Sequence, residues 1–222
     1  MTGRTVLCVA AHPDDEVLGA GGTLAKHAAA GHEVHVLIVT EGVTAQYDDL
    51  ELVEEKVDAA EECGERLGVE TLHFGELPDM RLDSTPHVEV NAVIEDCVES
   101  IGPDVVYTHT QDDVNQDHVA VAESTMVAVR PGAGVERILA YETPSGTEWA
   151  AGDRFAPTVY VDVTDHLDTK VGAFDAYDME RRPYPHPRSE RAVRARARTR
   201  GTEAGFEAAE AFALLREYAS EV

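Results

Sequence analysis

His12, Asp14, Asp15 and Glu16 follow directly on a short apolar run, TVLCVA at residues 5–10. Three acids in succession repel one another, and a divalent cation would relieve that repulsion; imidazole with carboxylate is ordinary zinc ligation. The same residues also read as a polar loop capping the next helix, with Asp14 or Asp15 at the N-cap. A second polar cluster, THTQDDVNQDH from Thr108 to His118, again stands between an apolar run and a helix. A catalytic zinc takes three protein ligands and keeps one position for water. His12 and Asp15 from the first loop and His118 from the second meet that demand. Asp14 is then left to take a proton from bound water. Asp117 reads either as a helix N-cap or as a group orienting an imidazole.

Two loops can converge this way only if a sheet aligns them. TVLCVA and VHVLIV (34–39) read as buried parallel strands, with a helix between them ending near Gly31. Val53, Val57, Ala60 and Leu67 make one helical stripe, and Val90, Val93, Ile94, Cys97 and Ile101 another. Strands are expected at 71–74, 104–109, 136–141 and 158–163, the last at an edge, and GELPDMRLDSTP reads as irregular. The end of the chain reads as helical: one piece from about Asp165 to Met179, a break at RRPYPHPRS, and a final section carrying Phe206, Ala209 and Phe212. Alternating strands and helices imply an α/β fold: a Rossmann-like, mostly parallel sheet with helices on both faces and a C-terminal helical extension, in a single domain over 1–222. Loops at the carboxyl ends of such strands border the ligand crevice. GAGG at 19–22 lacks the spacing of a dinucleotide fingerprint and reads as tight helix–sheet packing.

The chain has 43 acidic and 18 basic residues among 222, a net charge of −25. That field argues against a nonspecific nucleic-acid binder and against docking on an anionic membrane. Only three of the basic residues are lysines, Lys26, Lys56 and Lys170. Acid excess with scarce lysine resembles the composition of proteins from salt-loving archaea, where salt screens self-repulsion. Cys8, Cys63 and Cys97 are isolated in apolar segments and read as small buried hydrophobes. No apolar stretch reaches membrane-spanning length and no signal peptide precedes TVLCVA, so a reduced, cytoplasmic setting without a stable membrane anchor is expected. His27, His32 and His35 lack a partner cluster and read as structural or exposed.

AHPDDE with GAGG, TEG after the second strand and the later DH pair resemble the LmbE-like, or PIG-L, family of zinc-dependent N-acetylglucosaminyl deacetylases. The resemblance continues through RLGV (66–69), LPDMRL (77–82), DVVYTH (104–109), DVNQDH (113–118), YETPSGTEW (141–149), YVDVT (160–164), YPHPRSE (184–190) and RGTEAG from Arg200. It implies Zn2+ held by His12, Asp15 and His118, Asp14 as catalytic base, and removal of acetyl from a small amino-sugar substrate; self-association is common in the family. One position departs from the pattern: where several members carry a histidine three places before the last ligand, this chain has Asn115. An amide donates to an oxyanion but cannot act as a general acid. His186 is the leading substitute acid and His109 the next. The resemblance brings the C-terminal segment to the substrate, so Arg188 is expected to bind a hydroxyl or phosphate, against a reading of YPHPRSE as a stiff connection. Lys56 stands where the family often has a substrate-binding arginine, or is an exposed helical charge. Trp149 lines a sugar pocket or belongs to the core, and Glu142 faces the site from the end of a strand. A metal-dependent amidase on a non-acetyl amide and a non-catalytic metal-binding protein, structural or regulatory, are the alternatives.

Overall fold

A computed structural model describes residues 3–42, 51–151 and 155–219. The strands are β1 (Thr5–Ala10), β2 (Glu33–Thr40), β3 (Thr71–Leu77), β4 (Val105–His109), β5 (Arg137–Tyr141), β6 (Val159–Asp162) and β7 (Ala209–Glu217). The helices are α1 (Asp15–Ala29), α2 (Glu51–Leu67), α3 (His87–Ile101), α4 (Gln116–Ala128), α5 (Leu167–Phe174) and α6 (Glu190–Ala204). One seven-stranded sheet has the order β3-β2-β1-β4-β5-β7-β6. The first five strands in that order are parallel, with Val6 level with Val34 on one side and with Val105 on the other. The Rossmann-like α/β expectation therefore holds, and β6 lies at the edge as its sequence indicated.

Side-chain alternation along each strand feeds two cores. Val6, Cys8, Val36, Ile38 and Tyr107 pack on one face against α1, α2, α5 and α6. Leu7, Val9, Leu37, Val106 and Ile138 pack on the other against residues of α3 and α4. All three cysteines are buried and free. A side chain at Gly19 would meet the Tyr141 ring at 2.2 Å, so close approach of α1 to the sheet is what that glycine permits. Among the described residues no helix is long and apolar enough to cross a membrane.

Two expectations for the C-terminal part are corrected. The piece from Asp165 to Met179 is the short helix α5 flanked by single 3-10 turns. The final section is helical only through α6, the expected C-terminal helix, which stops at Gly205 (φ 80°); Ala209 and Phe212 lie instead in β7, antiparallel to both β5 and β6. AEAFALLRE is rich in helix formers, but the gap between β5 and β6 offers backbone partners on both sides, and tertiary pairing overrides propensity.

β7 is also fixed by a buried ion pair. Lys170 Nζ lies 2.6 Å from Glu210 Oε1 and donates to the Leu18 carbonyl. The Glu210 carboxylate accepts from the Gly22 and Thr23 amides. Lys170→Met strands the Glu210 charge in the core, so chemical unfolding is expected to show a loss of about 3–5 kcal/mol. Adding Glu210→Gln should return part of it.

Candidate metal centre and cleft

The strand order reverses between β1 and β4, so the chain leaves these neighbouring strands in opposite directions and opens a crevice at their carboxyl ends. The loop after β1 carries His12, Asp14 and Asp15, and the loop after β4 leads to His118 in the first turn of α4. His12 Nδ1 is 3.1 Å from Asp15 Oδ2, and His118 Nε2 is 3.3 Å from both of those atoms. A tetrahedron around an ion with bonds of ~2.0 Å has edges of ~3.3 Å, so these three atoms are spaced as zinc ligands are. Asp15 Oδ1 is buried without a hydrogen-bond partner among the described residues. The donor set thus fits a divalent ion.

Each imidazole presents its other nitrogen to a carboxylate, the arrangement that orients metal-binding histidines. His12 Nε2 is 3.1 Å from Asp117 Oδ2, and Asp117 Oδ1 accepts from the Leu82 amide. His118 Nδ1 is 3.2 Å from Asp113 Oδ2, and that oxygen accepts from Thr147 Oγ1. Asp79 Oδ1 is 3.3 Å from His12 Nε2, so His12, Asp79 and Asp117 form a second cluster able to hold a cation. Burial alone would lower both imidazoliums, yet Asp117 and Asp15 lift His12 to about 10, and Asp15 and Asp113 lift His118 to about 9. The pocket is built to stabilise positive charge.

Asp14 precedes α1 with φ 108°, in the left-handed region, and its side chain makes no capping bond. Asp14 thus occupies the N-cap position of α1 without capping it through its side chain, and its carboxylate lines the cleft instead. Glu16 holds the strain in place: Oε2 accepts from the Asp14 amide at 3.1 Å, and Oε1 accepts from the Tyr177 hydroxyl and the Cys63 thiol. Burial raises the Asp14 carboxyl above its ordinary range; Arg188 opposes this and Asp15 adds to it.

The cleft beside these groups is lined by His12, Asp14, Lys56, Asp79, Met80, Asn115, Glu180 and Arg188. Asn115 is the N-cap of α4, accepting from the Asp117 amide, so Asp117 itself is not the cap. Asn115 Nδ2 meets only the Met80 sulfur, 3.7 Å away, among the described residues. Lys56 is 7% exposed rather than an exposed helical charge; Nζ bonds the Gly42 carbonyl and lies 2.9 Å from Glu180. Arg188 Nη1 is 3.1 Å from Asp14 Oδ2 and 2.7 Å from Glu180 Oε2, and Nε donates to Ser145 Oγ. YPHPRSE therefore reaches the cleft wall through Arg188.

Other expected site residues stand apart. His186 Nδ1 accepts from the Arg188 amide and its ring meets Trp149 edge-on at 6.1 Å, but it does not line the cleft. Trp149 is 54% exposed, so it is not a core residue. Glu142 turns away toward α6, with Arg196 and Arg200 on its two oxygens. His109 is buried with both nitrogens engaged: Nε2 accepts from the Ala11 amide and Nδ1 faces Thr143 Oγ1. Burial and His118 lower it to about 4, which favours the neutral ring, with its one proton on Nδ1 toward Thr143. Asp79, Asp113 and Glu180 were not singled out from sequence. LPDMRL and DVNQDH contained the first two, whereas nothing local marks Glu180.

Residues 7–129 match the sequence profile of the GlcNAc-PI de-N-acetylase family, PIG-L. YaiS of Escherichia coli, an uncharacterized deacetylase, is 33% identical over 174 residues, covering 75% of this chain and 85% of that protein. A 4-oxalmesaconate hydratase of Pseudomonas putida is 30% identical, covering 77% of this chain and 71% of its own length. Among solved structures, the conserved protein TT1542 of Thermus thermophilus superimposes with a TM-score of 0.80 at 26% identity, covering 98% and 97% of the two chains. A matched profile over more than half the chain, on a fold that gathers the expected histidines and aspartates around one ion-sized gap, places this protein in the PIG-L, LmbE-like deacetylase family.

Proposed function

We propose that this protein is a zinc-dependent hydrolase that removes the N-acetyl group from an N-acetylglucosamine-type sugar or its conjugate and releases acetate. The observation that carries this reading is the convergence of His12, Asp15 and His118 at 3.1–3.3 Å beside a strained, buried Asp14. A divalent ion held there supplies Lewis acidity, which polarises the acetamide carbonyl and acidifies a water. Asp14 accepts the proton of the attacking water. Asn115 Nδ2 donates to the oxygen of the tetrahedral intermediate, in place of the family's histidine. Because the Asn115 amide is not an acid, His109 is spent in structure and His186 lies outside the cleft, Asp14 returns its proton to the leaving nitrogen. Arg188 and Lys56, which line the cleft, are the groups proposed to contact the sugar or its aglycone, whereas Trp149 lies outside the cleft lining beside His186; Glu142 acts indirectly, by fixing α6.

The hydratase relative makes water addition to an unsaturated carboxylate the competing chemistry on this fold. The acidic cleft is poorly matched to such an anion. The charge of −25 with few lysines supports work in concentrated salt. The test is acetate release in molar potassium chloride by zinc-loaded protein, over free N-acetylglucosamine, chito-oligosaccharide, UDP-linked sugar and an inositol conjugate. Release above an Asp14→Asn background is expected for at least one. No release from any, with zinc bound and the protein folded, would turn the reading toward another amide or a non-catalytic role.

A further inference from the structure

The two cations of the cleft are already neutralised by one carboxylate that belongs to neither loop of the metal centre. Glu180, in a 3-10 turn after α5, divides its oxygens: Oε1 lies 2.9 Å from Lys56 Nζ and Oε2 2.7 Å from Arg188 Nη1. Burial alone would raise this carboxyl, but Lys56 and then Arg188 hold it below its ordinary range, so it stays ionised. Arg188 is further shared with Asp14, and Lys56 with the Gly42 carbonyl. Asp79 Oδ2 is buried without a hydrogen-bond partner among the described residues, an acceptor that suits a hydroxyl and repels an anion. With Glu180 in place, Lys56 and Arg188 present paired rather than free charge to the cleft. Without Glu180 the wall would carry two adjacent cations, a ready phosphate site.

We propose that Glu180 sets the charge specificity of the cleft: by neutralising Lys56 and Arg188 it selects N-acetylated sugars without a phosphate and excludes sugar phosphates and nucleotide-linked sugars. This rests on the deacetylase reading above. A phosphate entering beside Lys56 and Arg188 must displace Glu180 from both or lie against it, and either course costs charge-assisted bonds in a partly buried site.

The experiment compares kcat/KM for acetate release from methyl N-acetylglucosaminide with that from N-acetylglucosamine 1-phosphate and 6-phosphate at one fixed ionic strength. Wild-type protein is expected to prefer the neutral glycoside. Glu180→Gln is expected to move the phosphate-to-neutral ratio toward the phosphates by about tenfold, the scale of one nearby charge in a partly screened site. Glu180→Asp, which keeps the charge, is expected to keep the preference. Equal or faster release from either phosphate by wild type would overturn the proposal while leaving the deacetylase reading intact. An unchanged ratio in Glu180→Gln would remove the role of Glu180, and the wild-type comparison needs neither variant to fold. Release from neither class by zinc-loaded protein would overturn the charge-specificity proposal, and would overturn the deacetylase reading as well only if chito-oligosaccharide and the inositol conjugate also release no acetate.

Discussion

Asp14→Asn is expected to lower kcat by about 10³-fold, within the 10²–10⁴ that a positioned base contributes, with zinc content and unfolding midpoint close to wild type. The variant isolates chemistry because of where Asp14 stands. Its side chain makes no helix cap, so no structural bond of α1 is lost. Its φ of 108° is positive, a region where asparagine is among the better-tolerated residues, so the backbone keeps its course. The amide held by Glu16 is unchanged by the substitution. What disappears is proton acceptance, together with half of the charge that Arg188 faces. KM should therefore move much less than kcat. A loss of under about tenfold would assign the proton transfer to another group.

The parts of this molecule that were legible in sequence are those in which one physical demand dominates. β1, β2, β4 and β5 are buried on both faces and read as apolar runs; His12, Asp15 and His118 follow such strands directly, so topology placed them together. β7 was misread because its alanines, leucines and glutamates favour helix locally, and its strand form comes from β5 and β6, distant in sequence. Lys56 was ambiguous for a similar reason. Its burial depends on Glu180 and on the Gly42 carbonyl, more than a hundred residues away in one case and 14 in the other. Glu142 directly follows β5, but α6 brings two arginines to it, and their spacing on that helix pointed to no partner. Asp113 looked like one more acid in a polar loop, and only the fold shows it beside His118.

Metal removal should have an equally large effect. His12 Nδ1 and His118 Nε2 stand 3.3 Å apart, with Asp15 Oδ2 within 3.3 Å of both, the spacing of ligands to one ion. Among the described residues of the cleft none replaces the lost Lewis acid: Lys56 and Arg188 are tied to carboxylates, and Asn115 offers one neutral donor. The two clusters share His12 through opposite nitrogens, and Asp117 already takes the Nε2 side and the Leu82 amide, which favours one ion at the His12, Asp15 and His118 set. The most direct measurement is acetate release by chelated protein as zinc is returned stepwise, with bound metal counted in the same samples. Activity that is at background without metal and climbs in proportion to zinc up to one ion per chain is the predicted result. Acetate release that persists in protein shown to be metal-free would contradict the central claim.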